Sequence, residues 1–527
     1  MFRKNREGGS DKGTTGKPGA SGVGPLSLLT SLRSRFGPAG FVWLFAALYA
    51  LVFSALTIRR HEVYSSARFD LGNMDQAIWN SAHGRILEVT SETGENVGRL
   101  VNHADFLLLA YVPLYWVWAS PYWLLVSQAV VVGLGAVPLY WLARRFLKRD
   151  WPAAMISAAY LLSPGLQSAN TFDFHAQTLA PTFLLFAFFY LLERRLLPFA
   201  AFAVLAALCK EEISLIVAMM GLYVALVHRR LTWGIPVFVA GFGYFAFVMG
   251  VLIPSFNDGT PSELVEGRYE EVGGSMSGMA RTLFTDPAAV VGHALSGNKP
   301  AYLLDLIGLS LLLGLFSPAV LLIALPELAI NLLSNRAQMS SVYYHYSAPI
   351  WPFIYLATAA GIARITGLVG RLASGRRWRE DLISVLPGVL AFWVLLFGAY
   401  MDLVYGPIPP ARNYIENPVV MRQLPDGYVQ NLDEALSLIP DDGDVSASAS
   451  NWLAPHLAHR ETLYLFPTRE GAGGAADYIV VDLYRASYFT GVDRPRGQRA
   501  LERIIEDPRY RAIYTAPNVA VFERISP

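Results

Sequence analysis

The stretch that decides the fold is GPAGFVWLFAALYALVFSALTI, residues 37–58, which contains no charged side chain. A helix of this length, rising 1.5 Å per residue, crosses the roughly 30 Å hydrocarbon core of a bilayer. Uncharged runs recur along the 527-residue chain, and only 16% of its residues are charged. An ordinary soluble domain has about 25% charged residues. The sequence therefore predicts a mainly α-helical, multi-span membrane protein.

Basic residues beside the apolar runs predict the orientation of the spans, because cytoplasmic loops carry an excess of Lys and Arg. Arg33 and Arg35 precede the first run, which predicts a cytoplasmic N-terminus. Further basic clusters occur at Arg144, Arg145, Lys148, Arg149, Arg194, Arg195, Arg229, Arg230, Arg376, Arg377 and Arg379. If all of these are cytoplasmic, about eleven spans fit, near 37–58, 122–143, 152–167, 178–192, 197–209, 213–228, 233–253, 301–323, 324–335, 346–366 and 382–402.

Three regions follow from this assignment. Residues 1–36 are rich in Gly, Ser and basic residues and are predicted to be a disordered cytoplasmic tail, too long and polar for a cleaved signal peptide. Residues 37–402 form the predicted transmembrane domain in the plasma membrane, with a large first external loop at 59–121. Residues 403–527 are more polar and are predicted to form a small external α/β domain.

Strand patterns support that last prediction. YIVVDLY (478–484) is typical of a buried strand, and residues 510–525 predict a hairpin that turns at Ala516–Asn518. DVSASAS and TLYLF are predicted as further strands, and Gly471–Gly474 as a flexible loop. In the first external loop, residues 103–121 are predicted to lie on the membrane surface, with Tyr115, Trp116 and Trp118 at headgroup level.

Composition excludes several classes of protein. The single cysteine, Cys209, excludes an intrachain disulfide and a zinc site built from thiolates. The balance of 42 basic and 41 acidic residues gives no indication of a nucleic-acid partner. The absence of a Gly-rich loop followed by Lys-Ser or Lys-Thr argues against a nucleotide-driven pump.

Polar side chains collect at one membrane surface in this topology. Charges held close to hydrocarbon are costly and are usually paired or functional, so their grouping predicts a single cavity at the external boundary. The alternative is that each group is simply solvated in its loop. The candidate residues are Arg68, Asp70, Asp75, Gln76, Trp79, His103, Asp105, Asp173, His175, Lys210, Glu211, Glu212, Tyr344 and His345.

The stretch RFDLGNMDQAIWN, residues 68–80, contains more of these candidate residues than any other segment of its length. A helix starting at Leu71 would have Asp70 as its N-cap and Gly84 as its stop. Met74 and Ile78 would then continue an apolar stripe from Leu71, and this stripe is predicted to lie on the membrane. Asp70 is therefore either a cap alone or a cap that also serves chemistry.

Several motifs resemble a family of prokaryotic integral membrane proteins defined by a domain of unknown function. The resemblance begins with FDLGNMDQAIWNSAHGR (69–85) and NHADFLLLAYVPLY (102–115). It continues through segments 127–144, 172–180, 208–212, 343–352 and 451–467, and covers about residues 40–480. That family is similar in layout to the GT-C class of membrane glycosyltransferases.

The resemblance implies an enzyme that takes a sugar from a polyprenyl-phosphate donor and transfers it to an acceptor on the external side. GT-C enzymes have an acidic residue in the first external loop, which here would be Asp70 or Asp75. The usual adjacent or once-spaced acidic pair is absent, since these two residues lie five apart. This departure leaves open which aspartate is catalytic and whether a metal is used.

An inverting transfer needs a general base for the acceptor hydroxyl and groups that stabilise the departing phosphate. Asp70 is predicted as the base, with Asp75 orienting the acceptor or sharing that role. The predicted phosphate contacts are Arg68, Lys210, His175 and His345, with Glu211 or Glu212 holding Lys210. His103 and Asp105 could instead join the two aspartates around a divalent cation, Mg or Mn.

Two other classes of function remain at this stage. A transporter or lipid flippase usually places its substrate groups near the bilayer midplane on repeated halves. Here the polar groups lie at one surface, and the sequence shows no internal repeat. A non-catalytic membrane scaffold would bind a partner through its external domain. The partners predicted for the enzyme are the lipid-linked donor, an acceptor of unknown identity and the bilayer.

Overall fold

The structure is a computed structural model that describes residues 37–260, 267–412, 424–467, 476–485 and 494–526. The predicted tail at 1–36 and the predicted loop at Gly471–Gly474 lie outside these residues. Among the described residues, five helices are long and apolar enough to cross a membrane: Pro38–Glu62, Tyr122–Leu147, Leu231–Ser255, His345–Leu372 and Arg379–Tyr405. Shorter apolar helices pack beside them, which gives the helical membrane bundle that the hydropathy predicts.

Three of these five helices combine consecutive segments: Tyr122–Leu147 divides at Gly135, Leu231–Ser255 ends with a π-helical turn and a short helix at Ile253–Ser255, and His345–Leu372 begins with a 3₁₀ segment at His345–Ile350. The longer α-helical segments are numbered in chain order. They are α1 (Pro38–Glu62), α2 (Asn73–Ala82), α3 (Val112–Val117), α4 (Tyr122–Leu134), α5 (Ala136–Leu147), α6 (Asp150–Leu161), α7 (Pro164–Thr171), α8 (Ala176–Leu192), α9 (Leu196–Ala207), α10 (Ile213–Leu226), α11 (Leu231–Phe247), α12 (Met276–Thr285), α13 (Pro287–Ala294), α14 (Lys299–Gly314), α15 (Pro318–Leu321), α16 (Leu325–Leu333), α17 (Trp351–Leu372), α18 (Arg379–Tyr405), α19 (Tyr428–Ser437) and α20 (Arg494–Glu506).

Small residues allow the bundle helices to approach closely. A Cβ atom at Gly234 of α11 would collide with the backbone of Ala225 in α10, and one at Gly241 would lie 2.6 Å from the Ser214 carbonyl oxygen. Lipid tails are as apolar as the side chains, so helix association in a membrane depends on this close packing of backbones.

Prolines set two helix boundaries that hydropathy placed incorrectly. The predicted span at 152–167 is two helices, α6 and α7, which separate just before Pro164. The predicted boundary at 323–324 is also wrong, because α14 ends at Gly314 and α15 begins at Pro318. Proline disfavours helical geometry in the preceding residue, and a hydropathy average does not register that effect.

The first loop forms a compact layer at one end of the bundle. It contains a π-helical turn at Arg68–Gly72, helix α2, strands β1 (Glu88–Thr90) and β2 (Asn96–Gly98), and a 3₁₀ segment at Phe106–Tyr111 that leads into α3. The two strands pair antiparallel. This layer positions seven of the fourteen candidate site residues.

The apolar stripe of α2 does not face lipid. Leu71 and Ile78 are fully buried and Met74 is nearly so, and all three belong to the main hydrophobic core. The prediction that the stripe lies on the membrane is therefore wrong, because α3 and the 3₁₀ segment cover it. Gly84, with φ of +88°, follows the end of α2 as predicted.

The segment at 103–121 is too short to span a bilayer, and two of its three aromatic anchors are exposed. Trp116 and Trp118 are 69% and 54% exposed, in keeping with the headgroup positions predicted for them. Tyr115 is buried instead, and its hydroxyl donates to the Asp75 carboxylate. Its predicted place at the headgroups is wrong because that hydrogen bond turns the ring into the protein.

The C-terminal residues form a five-stranded sheet with the order β4-β3-β5-β7-β6. Its strands are β3 (Ala447–Ala449), β4 (Leu463–Leu465), β5 (Tyr478–Asp482), β6 (Tyr510–Ala516) and β7 (Val519–Arg524). Strand β3 is parallel to β4 and β5, and β7 is antiparallel to β5 and β6. The predicted strands and the hairpin turn between Ala516 and Val519 are confirmed.

The sheet lies directly on the first loop. The Cα atom of Pro455 is 3.3 Å from where a Cβ of Gly72 would stand, and Gly443 packs closely on the Trp79 ring. The Arg68 guanidinium donates to the Leu463 carbonyl oxygen of β4. These contacts place the end of β4 beside the candidate site.

Candidate functional site

A cavity of about 350 Å³ lies between the first loop, the bundle and the C-terminal sheet. The first loop contributes the largest share of its wall, and the loop before α8, the turn before α10 and strand β4 complete it. Its lining includes Arg68, Asp70, Asn73, Glu92, Arg99, Asn102, His103, Asp105, His175, Gln177, Lys210, Arg268, His345, Tyr346 and Leu465. The structure thus brings seven of the fourteen candidate residues to one cavity, namely Arg68, Asp70, His103, Asp105, His175, Lys210 and His345.

Asp70 lies on the cavity wall within the π-helical turn at Arg68–Gly72. Its side chain is 20% exposed, and its Oδ1 atom is 2.9 Å from Nε2 of His175. The prediction that Asp70 is an N-cap is wrong, because the chain is already helical at Arg68. The carboxylate is directed to a side chain and to the cavity instead.

His175 is held firmly where α8 begins. Its backbone N–H donates to Oε1 of Gln128 at 2.9 Å, and its ring stacks on His345 with a centroid distance of 3.6 Å. Both imidazoles therefore lie in a fixed stack beside Asp70. Tyr344 packs on Phe172 at the edge of this stack and does not line the cavity, whereas its neighbour Tyr346 does.

Asp173 forms a buried ion pair with Arg60 below the cavity. Its Oδ1 atom is 3.5 Å from Nε of Arg60, and its Oδ2 atom accepts a hydrogen bond from the Ala67 amide at 2.8 Å. Burial raises the pKa of Asp173 to about 6, although Arg60 opposes the rise. The pair joins the end of α1 to the loop before α8 and so supports the floor of the cavity.

Asp75 lies away from the cavity, on the side of α2 that meets the C-terminal sheet. Its side chain is 1% exposed, and its Oδ1 atom accepts from the Tyr115 hydroxyl and lies 3.1 Å from Nε2 of His459. Gln76 donates to the Arg460 carbonyl oxygen, and Trp79 packs against Gly443. These three α2 residues join the loop to the sheet.

This contact predicts a pH dependence. Although burial lowers it, the Asp75 carboxylate raises the pKa of His459 above its ordinary value of 6.5. The charged pair therefore stabilises the fold fully below about pH 6.5, and that stabilisation is lost as the pH rises through the higher folded-state pKa. We expect the melting temperature of the wild type to fall more than that of His459→Gln between about pH 6 and about pH 8. Parallel pH curves for the two proteins would contradict the assignment.

Arg68 and Asp105 line the cavity, but both have protein partners. Arg68 donates to the Thr90 carbonyl oxygen at 2.7 Å, and burial together with Arg99 lowers its pKa to about 10. Asp105 forms a buried ion pair with Arg99. Within the described ranges, no group of three or more His, Cys, Asp or Glu side chains is placed to hold a metal ion. Of the four residues of the possible cation site, Asp70, His103 and Asp105 line the polar cavity and Asp75 does not.

Lys210 stands at the centre of a compact ionic cluster in the turn before α10. Its Nζ atom is 2.5 Å from Oε1 of Glu212, and Glu211 accepts from the Ala104 amide at 3.0 Å and contacts Nδ1 of His103 at 3.0 Å. Burial lowers the pKa of Lys210, but the carboxylates of Glu212 and Glu211 raise it by more than burial lowers it. The net pKa therefore lies above its ordinary value. Burial opposes ionisation of Glu211, yet His103 and Lys210 lower its pKa to about 2. The cluster therefore keeps a cation at the cavity wall.

A second cavity, the apolar groove, adjoins the first. It has a volume of about 290 Å³ and shares Asn102, His103, Lys210 and Arg268 with the polar cavity. Glu211 and Glu212, the partners of His103 and Lys210, also line it. The rest of its lining is mainly apolar: Leu215, Phe242, Phe245, Met249, Tyr269, Met279, Ala329, Ile330, Leu333 and Met339. The cationic side chains therefore stand where the two cavities meet.

Sequence reasoning missed Asn102 of this junction and also one of its cations, Arg268. It lies in a loop between α11 and α12, in the sequence GRYEE, where three charged residues surround one tyrosine. Nothing in that local pattern distinguishes a site residue from a solvated loop residue. Sequence reasoning also missed that Asp70 pairs with His175, Asp75 with His459 and Gln177 with Glu327, because each pair is distant along the chain.

Comparison with known proteins identifies the family of this chain. The chain belongs to the family described as predicted membrane protein (DUF2079), whose sequence model matches residues 60–521. The family membership suggested by the sequence motifs is confirmed. No match to a curated protein is found.

Two solved structures are similar in overall layout. The crystal structure of ArnT from Cupriavidus metallidurans bound to undecaprenyl phosphate has 12% sequence identity and a TM-score of 0.49, covering 92% of this chain and 98% of that chain. ArnT from the same organism in the apo state has 12% identity and a TM-score of 0.48, covering 90% of this chain and 98% of that one. Both scores lie below 0.5, so neither likeness assigns an activity or a residue role to this chain.

Proposed function

We propose that this protein is a membrane glycosyltransferase that transfers a sugar from a polyprenyl-phosphate donor to an acceptor on the external side of the membrane. One observation carries the proposal: a polar cavity with the Asp70 carboxylate on its wall adjoins an apolar groove, and the cationic side chains of Lys210 and Arg268 line both. A polyprenyl-phosphate sugar has the same order of parts, namely an apolar chain, an anionic phosphate and a polar sugar.

The phosphate fits the junction best. Lys210 and Arg268 line both cavities, and the cluster around Lys210 keeps that side chain charged. A guanidinium presents paired donors that match phosphate oxygens, and Arg268 supplies one here. The prenyl chain would then lie among the apolar residues of the groove, and the sugar would enter the polar cavity beside Asp70.

The reaction follows from this placement. Asp70 accepts the proton of the acceptor hydroxyl as the hydroxyl oxygen forms a bond to the anomeric carbon. The bond between that carbon and the phosphate oxygen breaks, and the oxygen leaves with the electron pair. Lys210 and Arg268 stabilise the charge that develops on the departing phosphate. The products are the glycosylated acceptor and the polyprenyl phosphate.

Donor consumption by the purified protein tests this function. Protein in nanodiscs is incubated with a panel of labelled polyprenyl-phosphate sugars and a detergent extract of membranes that supplies the acceptor, with Asp70→Asn as the matched control. We expect the wild type to release polyprenyl phosphate from at least one donor and the variant to release it about 10²–10⁴-fold more slowly. If no donor is consumed in the presence of the extract, the function is not glycosyl transfer.

The phosphate contact makes a separate prediction. We expect Arg268→Gln to raise the donor KM by about 10- to 100-fold, because a hydrogen bond to a charged group contributes about 1.5–3 kcal/mol. The matched control is Arg281→Gln, an exposed arginine of α12 that lines neither cavity. An unchanged donor KM in Arg268→Gln would remove Arg268 from the phosphate site.

A further inference from the structure

We propose that His175 is a positioning residue that orients the Asp70 carboxylate for proton transfer, and that it does not bind the donor phosphate. This inference rests on the proposed function. It starts from the 2.9 Å hydrogen bond between Nε2 of His175 and Oδ1 of Asp70. The two residues lie 105 positions apart in sequence, so the tertiary fold creates this pair.

The partners of the two ring nitrogens define the proton arrangement. An ionised carboxylate only accepts hydrogen bonds, so Nε2 of His175 carries the hydrogen that it shares with Asp70. Nδ1 of His175 is buried and has no hydrogen-bond partner in the described part of the chain. A second proton there would be a buried N–H without an acceptor, which is costly. The ring is therefore a neutral donor to Asp70 and not a cation facing a phosphate.

The imidazole is also locked in orientation. Gln128, which is fully buried, accepts from the His175 amide at 2.9 Å and donates to the Asn170 and Asp173 carbonyl oxygens. His345 and Phe172 stack on the ring with centroid distances of 3.6 Å and 5.9 Å. A donor held this rigidly fixes the position of the group that it binds.

The arrangement leaves Asp70 able to act. The hydrogen bond from His175 engages Oδ1, and the Asp70 side chain remains 20% exposed on the cavity wall. The second carboxylate oxygen is then the one that receives the acceptor proton. The ionisable groups around the pair include Asp173, which is bound to Arg60, the stacked His345, and Lys210 of the same cavity wall. Substitution of His175 leaves these groups unchanged.

A pair of amide variants tests the role. In His175→Gln the side-chain nitrogen stands close to the position of Nε2, so the donor to Asp70 is kept. In His175→Asn the same amide is one methylene shorter and does not reach Asp70. The measurements are kcat, donor KM and the pH–rate profile with the donor found in the panel, the Kd for undecaprenyl phosphate, and the melting temperature of each protein.

We expect His175→Asn to lower kcat by about 10²-fold, the low end of the contribution of a positioned proton acceptor. Its donor KM and its Kd for undecaprenyl phosphate should stay within about twofold of the wild type. The acid side of its pH–rate profile should move to higher pH, because the carboxylate form has lost a donor. His175→Gln should recover most of the rate and the wild-type profile.

Four other results would overturn the inference. A raised donor KM and raised Kd with an unchanged kcat in His175→Asn would return His175 to the phosphate site. Equal losses of rate and melting temperature in both variants would make the role structural. A wild-type rate in His175→Asn would refute the positioning role and leave the glycosyltransferase proposal standing. An inactive wild type would instead refute the proposed function, and the positioning role with it.

Discussion

Asp70→Asn should lower the rate of sugar transfer by about 10²–10⁴-fold, the range in which a positioned general base contributes. Asparagine keeps the size of the side chain and retains an oxygen that accepts from Nε2 of His175, so the pair is preserved sterically. The amide does not take up a proton from the acceptor hydroxyl at neutral pH. We therefore expect kcat to fall while donor KM and melting temperature remain near the wild-type values.

Asp75→Asn is the matched control for this experiment. Asp75 is buried beneath the C-terminal sheet and contacts Tyr115 and His459 instead of the cavity. Its replacement should lower the melting temperature but leave the rate per folded molecule within a few-fold of the wild type. The opposite pattern, with normal transfer by Asp70→Asn and none by folded Asp75→Asn, would move the base to Asp75. Normal transfer by both variants would remove the proposed mechanism.

Asp173→Asn should destabilise the protein by about 3–5 kcal/mol, because removing one partner of a buried ion pair leaves an uncompensated charge. The side chains of Arg60 and Asp173 are 5% and 1% exposed, with the Nε and Oδ1 atoms 3.5 Å apart. Arg60 also donates to the Ser65 and Thr171 carbonyl oxygens, and these neutral acceptors do not balance its charge. The pair connects α1 to the loop before α8, so the damage should spread to the cavity.

Unfolding of the purified protein in detergent measures this effect, with Asp507→Asn as the control. Asp507 also pairs with an arginine, Arg509, but this pair lies at the surface and is screened by water. We expect a clear loss of melting temperature for Asp173→Asn and no measurable change for the control. If both variants unfold together with the wild type, the buried pair does not stabilise the native bundle.

For the segment around α2, the sequence predicted the apolar face correctly but predicted the wrong partner for that face. The spacing of Leu71, Met74 and Ile78 predicted an apolar face, and the structure buries all three side chains. The spacing does not say what covers such a face, because lipid and protein are equally apolar partners. The packing of α3 decided between them.

Asp70, in the turn before α2, and Asp75, in α2, show the same limit of sequence-based prediction within the site. Their spacing of five residues left open which one faces the chemistry. The fold directs Asp70 to the cavity and Asp75 to the C-terminal sheet. Residues far along the chain create this difference, because His175 at the start of α8 pairs with Asp70 and His459 pairs with Asp75.

The sequence by itself determined the membrane bundle, the five strands of the C-terminal sheet and the group of polar residues at one end of the helices. These properties depend on hydropathy, periodicity and charge within short windows, which are local quantities. The tertiary structure alone decided the pairing of Asp70 with His175, the place of Arg268 and the meeting of the polar cavity with the apolar groove. Those features join segments that are distant along the chain, and only helix packing and long-range hydrogen bonds bring such segments together.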